Sequence, residues 1–518
     1  MPADEADPPP PVILRDATSM RRWTRARRRE GAAVGFVPTM ASTVGLVPAT
    51  PSSGTDPAPL RAPLPSAPRP PPYLVSSLLD SPTPQGALHA GHLALLPLAR
   101  AAAVPAARAA GGPDACPPPG RAVVVASVYV NPTQFARGGD FDTYRRDETG
   151  DIEALRGAGA DAVFLPDPGT FYARGAGAPA VGPGGASGRA AAAAPPSAGV
   201  VDAPAGPYGG AGPAGDRSAA PWAGPPPPRF DPPGGRGGHE TWVCPGPLAA
   251  GLDGASRPGH FRGVCTVVMK LLGAVEPDAV CLGKKDFQQW RVLERCLRDL
   301  DCGAVVVGGE TVRDGRDGLA LSSRNAGLDR GGGDGGGDGG DGGEGDAESG
   351  PRDGPGWAAG SARGRAGAVP RALAACAAAL TRGPPRGAAA EQSATEWIAG
   401  LEAAGRAAID GALDPSSPGE GEGGGEGGGE GAAGSGKRER ERVEYFSVRC
   451  AAELTPLGGR GGGAPDPDPD GGWSGAPAST LAGRAVVVLA CAVVGGVRLI
   501  DNVEAVVGTG GWEGRDEG

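Results

Sequence analysis

The chain of 518 residues holds 94 glycines, 57 prolines and only 4% aromatic side chains. Much of it cannot bury enough apolar surface to offset its ordering entropy, so roughly 300 residues are expected to fold, enough for one α/β domain and a smaller one. Its 49 basic and 59 acidic side chains leave a net charge of −10, which argues against a nucleic-acid binder that works by counterion release.

The N-terminal "MPADEADPPPP" has neither the apolar core of a secretory signal nor the Arg- and Ser-rich, acid-poor character of a transit peptide, so the cytoplasm is the expected location. The basic stretch "RRWTRARRRE" (21–30) reads as the solvated face of a helix. Five β-branched runs then follow at intervals: "AAVGFVP" (32–38), "RAVVVASVYV" (121–130), "DAVFLP" (161–166), "DAVCLG" (278–283) and "GAVVVGG" (303–309). Turn residues bound them and helical patterns separate them, which predicts a parallel sheet covered by helices on both faces. Beyond residue 365 come two alanine-rich helical patterns and two strands, "VEYFSVR" (443–449) and "AVVVLACAV" (485–493), a small α+β unit. The second of these strands begins the longest apolar run, which falls short of the ~20 residues of a membrane span. Four tracts of Pro, Ala, Gly and acidic residues, at 41–85, 173–238, 329–356 and 415–437, are assigned no regular structure. Nine cysteines without a Cys-x-x-Cys pair point to reduced thiols and indicate no zinc site.

Residues suited to chemistry gather after the strands, where open α/β sheets bind ligands. "GALHAGHLALL" (86–96) places His89 and His92, two of four histidines, on a loop and a first helical turn. Imidazoles there can meet phosphate oxygens at the positive end of a helix, or simply cap it. "VYVNPTQF" (128–135) offers the amides of Asn131 and Gln134 to a small polar substrate, although such a turn is also common as plain structure. "GASRPGHFRGVCTVVMKLL" (254–272) sets Arg257, His260 and Arg262 before an apolar helix, as an anion site or as a solvent-facing basic loop. "LGKKDFQQW" (282–290) supplies Lys284, Lys285, Asp286 and Gln289 at a strand-to-helix turn, and "GLALSSRN" (318–325) adds two hydroxyls and Arg324. Neither a P-loop nor a G-x-G-x-x-G fingerprint stands at a suitable strand end.

In this order "VPTM", "GALHAGH", "VYVNPTQF", "RPGHFRGV", "GKKDFQQW" and "LALSSRN", followed by "VRLIDN" (497–502), closely resemble the pantoate–β-alanine ligases, members of the H-x-G-H nucleotidyltransferase superfamily. The resemblance implies a Rossmann-like domain over 12–325, a linker at 329–356 and a C-terminal lid domain over 357–510, itself interrupted at 415–437 and 458–480. It implies an ATP-dependent reaction through pantoyl adenylate, with Mg²⁺ beside the ATP, pantoate and β-alanine as substrates, a homodimer, and no nucleic-acid or membrane partner. Carried onto matching positions, the ATP site comprises Met40, the run Gly86, Ala87, Leu88, His89, Ala90, Gly91 and His92, then Gly283, Lys284, Lys285, Asp286, Val312, Leu321, Ser322, Ser323 and Arg324. His92, His89 and Lys285 are the expected catalytic groups. Gln134 and Gln289, with Asn131, Arg257 and His260, are expected on the substrates. No metal ligand is assigned. A nucleotide-binding homologue without activity and another H-x-G-H nucleotidyltransferase are the alternatives.

The sequence departs from the family pattern in four places. The acidic residue expected in the helix after "FDTYRRD" falls at Gly150, with Asp147, Glu148 and Asp151 nearby. Asp253 stands where a glutamate is usual, and Pro97 would be costly inside the helix that follows the histidines. Residues 41–85 split Met40 from Gly86, and their removal restores "GFVPTMGALHAGHLALL" without a seam. An inserted flexible tract there would undo preorganisation, so residues 41–85 are expected to be absent from the mature protein. Mass spectrometry of the native protein should find a peptide spanning "VPTMGALHAGH"; abundant peptides from within 41–85 would overturn this.

Overall fold

The computed structural model describes residues 9–40, 88–111, 121–134, 146–167, 171–172, 239, 241–328, 361–384, 393–414, 441–457 and 477–509. The tracts 41–85, 173–238, 329–356 and 415–437 lie outside the described residues, as do Gly86 and Ala87. The tract expected at 458–480 ends earlier, because Pro477 bridges to Ser393 and the turn Ala478–Leu481 buries both of its terminal side chains.

Six strands form one parallel sheet: β1 (Val12–Leu14), β2 (Ala32–Met40), β3 (Arg121–Tyr129), β4 (Ala162–Phe164), β5 (Ala279–Gly283) and β6 (Val305–Gly309). Their order is β1-β4-β3-β2-β5-β6. The five predicted runs are the five inner and later strands, and β1 is an addition, too short and too close to a helix start to show a pattern of its own. The chain steps from β2 to β3 and β4 on one side and then crosses to β5 on the other. The order therefore reverses between β2 and β5, and a crevice opens beyond their carboxyl ends.

Alternate residues of β2 feed the two faces. Val34 and Phe36 pack with Leu271 and Leu293 of the helices on one side. Val37 joins Leu96, Ala99 and Leu155 on the other. Gly35 has a packing reason, since a Cβ there would lie 2.4 Å from the carbonyl oxygen of Ala99. The helices are α1 (Ala17–Arg29), α2 (Ala90–Leu93), α3 (Leu95–Gly111), α4 (Glu148–Gly157), α5 (Asp253–Ser256), α6 (His260–Val275) and α7 (Phe287–Asp299).

Two expectations about helices are corrected. The basic face of α1 is not merely solvated, because Arg21 donates to Gly273 O, Arg28 to Glu276 O, and Arg25 pairs with the Glu276 carboxylate. Cations thus meet the free carbonyls at the negative end of α6. Pro97 is not interior: the helix breaks at Ala94 and restarts at Leu95, leaving Pro97 in the first turn, where an N–H has no intrahelical partner anyway. Pro105 is the residue inside α3. By length and composition Ala90–Ala110 would be long and apolar enough to cross a membrane, but its greater part is α3, which packs on β2, β3 and β5.

The C-terminal part is a three-stranded antiparallel sheet, β7 (Arg442–Cys450), β8 (Ala485–Val494) and β9 (Val497–Val506), in the order β7-β8-β9. The predicted apolar run is β8, and "VRLIDN" opens β9. Helices α8 (Ala362–Ala366), α9 (Ala368–Arg382) and α10 (Ala394–Leu413) cover one face. Val486, Val488 and Ala490 pack there against Leu373 and Ile398. Ser393 and Glu396 close a capping box at the start of α10. The other face carries Val487 and Leu489, which pack on Leu252 and Phe287 of the N-terminal part. That shared cluster brings β9 to the crevice.

Candidate functional site

The chain leaves β2 at Met40 and is described again from Leu88, whose N–H donates to buried Asp151 at 3.0 Å. Asp151 thus holds the peptide that leads into the two histidines, while Asp147 caps α4. His89 is the N-cap of α2: its Nδ1 accepts from Gly91 N at 3.2 Å, and His92 Nδ1 accepts from His89 N at 3.3 Å. The rings lie 4.1 Å apart between centroids.

An Nδ1 that accepts leaves the proton of a neutral imidazole on Nε2. The Nε2 of His92 is buried and has no partner among the described residues. Burial, then the charge of Lys285, pushes His92 down to about 3. Burial, then His92 and Lys285, also holds His89 well below its ordinary value. In the free protein both rings are neutral. Capping, one of the alternatives in the sequence, uses the Nδ1 of each ring and leaves the Nε2 of His92 without a partner among the described residues.

Lys285 and Asp286 come from the turn between β5 and α7, on the opposite side of the crevice. Both are buried, with Lys285 Nζ 3.9 Å from Asp286 Oδ1. Burial raises Asp286, partly offset by Lys285, and its Oδ2 has no partner among the described residues. Lys284 is differently placed. Its ammonium is held by Glu310 at 2.8 Å and Glu504 at 2.6 Å, so two carboxylates take up the charge expected on a nucleotide.

The third wall is the start of α6. His260 Nδ1 is 2.9 Å from Gln134 O, which makes it the donor and leaves Nε2 as an acceptor. Burial, then Arg257, pushes His260 down to about 3, with Arg324 also contributing. The charges of Arg257 and Arg324 also act on Asp286. Gly263 lets α6 meet the turn at Pro132–Gln134, since a Cβ would stand 2.5 Å from Thr133 O.

The expected amides divide. Asn131 donates to Gln134 Oε1 and Gly263 O and accepts from Thr133 and Tyr172, so its groups are spent on the protein. Gln134 is buried, and its Nε2 has no partner among the described residues. Gln288 donates to Leu248 O and Gly251 O and accepts from Asp253 N. Its neighbour Gln289 is buried without a protein partner for its amide among the described residues. Val312 is buried, with its carbonyl taken by Leu321 N. Ser322 caps the turn that carries Ser323 and Arg324. For Met40 only the backbone position is described.

Sequence reasoning missed the contribution of β9. Arg498 bonds Asp253 at 2.8 Å and Asn502 donates to the carbonyls of Lys284 and Lys285. Tyr445 of β7 also donates to Asp253. Burial raises Asp253, but Arg498 and the Tyr445 hydroxyl outweigh it and hold the carboxyl below its usual range. A signal was present: Arg498, Asn502 and Glu504 fall on one face of the strand by its period of two.

A parallel α/β sheet with a helix N-terminus, two neutral imidazoles and a buried lysine at its switch point defines a nucleotide-binding fold of the nucleotidyltransferase kind. A family profile described as pantoate-beta-alanine ligase matches residues 82–332, beginning only at the end of the 41–85 tract. The pantoate–β-alanine ligase of Oryza sativa subsp. japonica is 36% identical over 326 residues, covering 63% of this chain and 71% of that one. The chain belongs to the pantoate–β-alanine ligase family. The pantothenate synthetase of Akkermansia muciniphila is 37% identical over 243 residues, 47% of this chain and 58% of its own. A pantothenate synthetase structure from Thermus thermophilus aligns with 95% of this chain and 98% of its own, at 23% identity and a TM-score of 0.46.

Proposed function

We propose that this chain condenses pantoate with β-alanine at the expense of ATP, through a pantoyl adenylate. The pantoate carboxylate attacks the α-phosphorus and pyrophosphate leaves; the β-alanine amine then attacks the acyl carbon, giving pantothenate and AMP. The observation that carries this reading is the buried Nε2 of His92, without a partner among the described residues and within the field of Lys285, at the sheet's switch point. Charge grows on the α-phosphate and the departing pyrophosphate, so fixed N–H donors and an ammonium act more strongly on the transition state than on bound ATP. An arriving polyanion would raise the imidazoles, so His92 could then hold or donate a proton.

Gln134 and Gln289 would bind pantoate through amide groups the fold leaves over, and the acceptor Nε2 of His260 lies at the same wall. The Mg²⁺ that accompanies ATP needs one or two carboxylates besides the phosphates. Asp286, whose Oδ2 has no partner among the described residues, would be one such carboxylate, and the cation would neutralise phosphate charge. Homodimeric assembly, the Mg²⁺ requirement and a cytoplasmic location belong to this proposal.

The test is exchange of labelled pyrophosphate into ATP, dependent on pantoate and independent of β-alanine. Its absence from a folded, ATP-binding protein would leave a non-catalytic nucleotide binder. Gln289→Ala and Gln134→Ala should raise the KM for pantoate about tenfold while leaving that for ATP within twofold, since each leaves a polar substrate group unpaired. Equal shifts for both substrates would contradict these roles.

A further inference from the structure

Asn502 of β9 donates its side-chain amide to Lys284 O at 2.9 Å and to Lys285 O at 2.7 Å. Those carbonyls belong to the two peptide units on either side of the Lys285 Cα. Holding both planes restrains φ and ψ of Lys285 and therefore the direction in which its side chain leaves the backbone. Asn502 is itself held. Its N–H donates to Asp501 Oδ1 at 2.7 Å, and Arg313 binds Asp501 through both terminal nitrogens and also donates to Asn502 O at 3.0 Å. Asp501 and Asn502 are both buried. Arg313 follows Val312, on the segment after β6, so one pair of residues from the C-terminal sheet ties together two walls of the crevice.

We infer that Asn502, supported by Asp501 and Arg313, is a positioning residue that sets the aim of Lys285 across the crevice. The inference rests on the adenylation reading given above. Among the described residues the Asn502 amide bonds only those two carbonyls, and the Asp501 carboxylate only Arg313 and Asn502 N. The carbonyl pair is well matched to an amide, which has two N–H groups and can donate to both at once. An isosteric carboxylate would present oxygens to oxygens.

The test is a double-mutant cycle on the full chain, read by pantoate-dependent pyrophosphate exchange. Asn502→Ala should lower the exchange kcat about tenfold or more, the scale of a displaced catalytic group, with the pantoate KM within twofold. In a Lys285→Ala background the same change should cost less than twofold, because the group it aims is already gone. Asn502→Asp, of equal size, should fall at least as far as the alanine variant and serves in its place if that variant does not fold. An equal loss in both backgrounds, or unchanged exchange in Asn502→Ala or Asn502→Asp, overturns the inference. If the unmodified chain shows no exchange, it is the adenylation reading that fails.

Discussion

Lys285→Ala is expected to reduce pantoate-dependent pyrophosphate exchange at least about 100-fold, the loss seen when one charge-stabilising group leaves a preorganised site. Lys285 is only 5% exposed, and among the described residues its one carboxylate within ion-pair distance is Asp286, at 3.9 Å. Its neighbour cannot stand in, since the Lys284 ammonium is already engaged by Glu310 and Glu504. The effect should fall on kcat more than on the KM for ATP, because the charge it answers develops only as pyrophosphate departs. Lys285→Arg should recover little, since a planar fork does not replace a point charge on a flexible stem. Steady-state exchange rates at saturating ATP and pantoate would decide it. A loss below tenfold would move the principal electrostatic role to the helix terminus and the histidines.

The second large effect is on stability and pH. His89, His92 and His260 are buried neutral, and burial is the first cause of the low value in each. A histidine whose folded value lies below its unfolded value of 6.5 binds fewer protons when folded. Its contribution is complete above pH 6.5 and is lost as pH falls towards about 3. His92 and His260 each lose at most about 1.4 kcal/mol per pH unit in that window, against a total of about 5–15 kcal/mol for a typical domain, and His89 acts in the same direction. Asp286, Glu402 and Asp501, raised by burial, act in the opposite sense and gain as pH falls. Asp253, held low by Arg498, loses its share only below the ordinary carboxylate range.

Chemical denaturation at pH 7.5 and 5.5 should therefore show lower stability in acid. His92→Asn should reduce the stability difference between those two pH values by about 1.4 kcal/mol. An unchanged difference would mean that His92 already carries a proton in the folded protein. Bound ATP should reduce the loss, because an anion beside the rings favours their charged form.

Much of the N-terminal architecture was legible because its strands are β-branched and bounded by turn residues. The period of two in β2, with Val34 and Phe36 opposite Val37, is imposed by burial on both faces and needs no knowledge of partners. The first turn of α2 was legible for a similar reason. Helix starts are local, and His89 and His92 stand three apart, the spacing at which an N-cap and N3 side chain answer each other. Where the reading failed, the deciding contact was distant in sequence. The arginines of α1 look solvent-facing until the end of α6 is placed beside them.

By itself the sequence determined the alternation of strands and helices, the local caps, and the order of motifs that marks the family, since each depends on residues a few positions apart. Only the tertiary structure supplied the physical reason that Lys285, which the family resemblance selected, is left to the crevice while Lys284 is engaged elsewhere, and what aims it. Lys284 and Lys285 are adjacent and chemically identical, and they are told apart by Glu310 and Glu504, up to 220 positions away, which hold the Lys284 ammonium alone. Those contacts exist because Val487 and Leu489 bury against Leu252 and Phe287, carrying β9 to the turn. Hydrophobic burial of that kind is non-directional, so no local pattern names its partner.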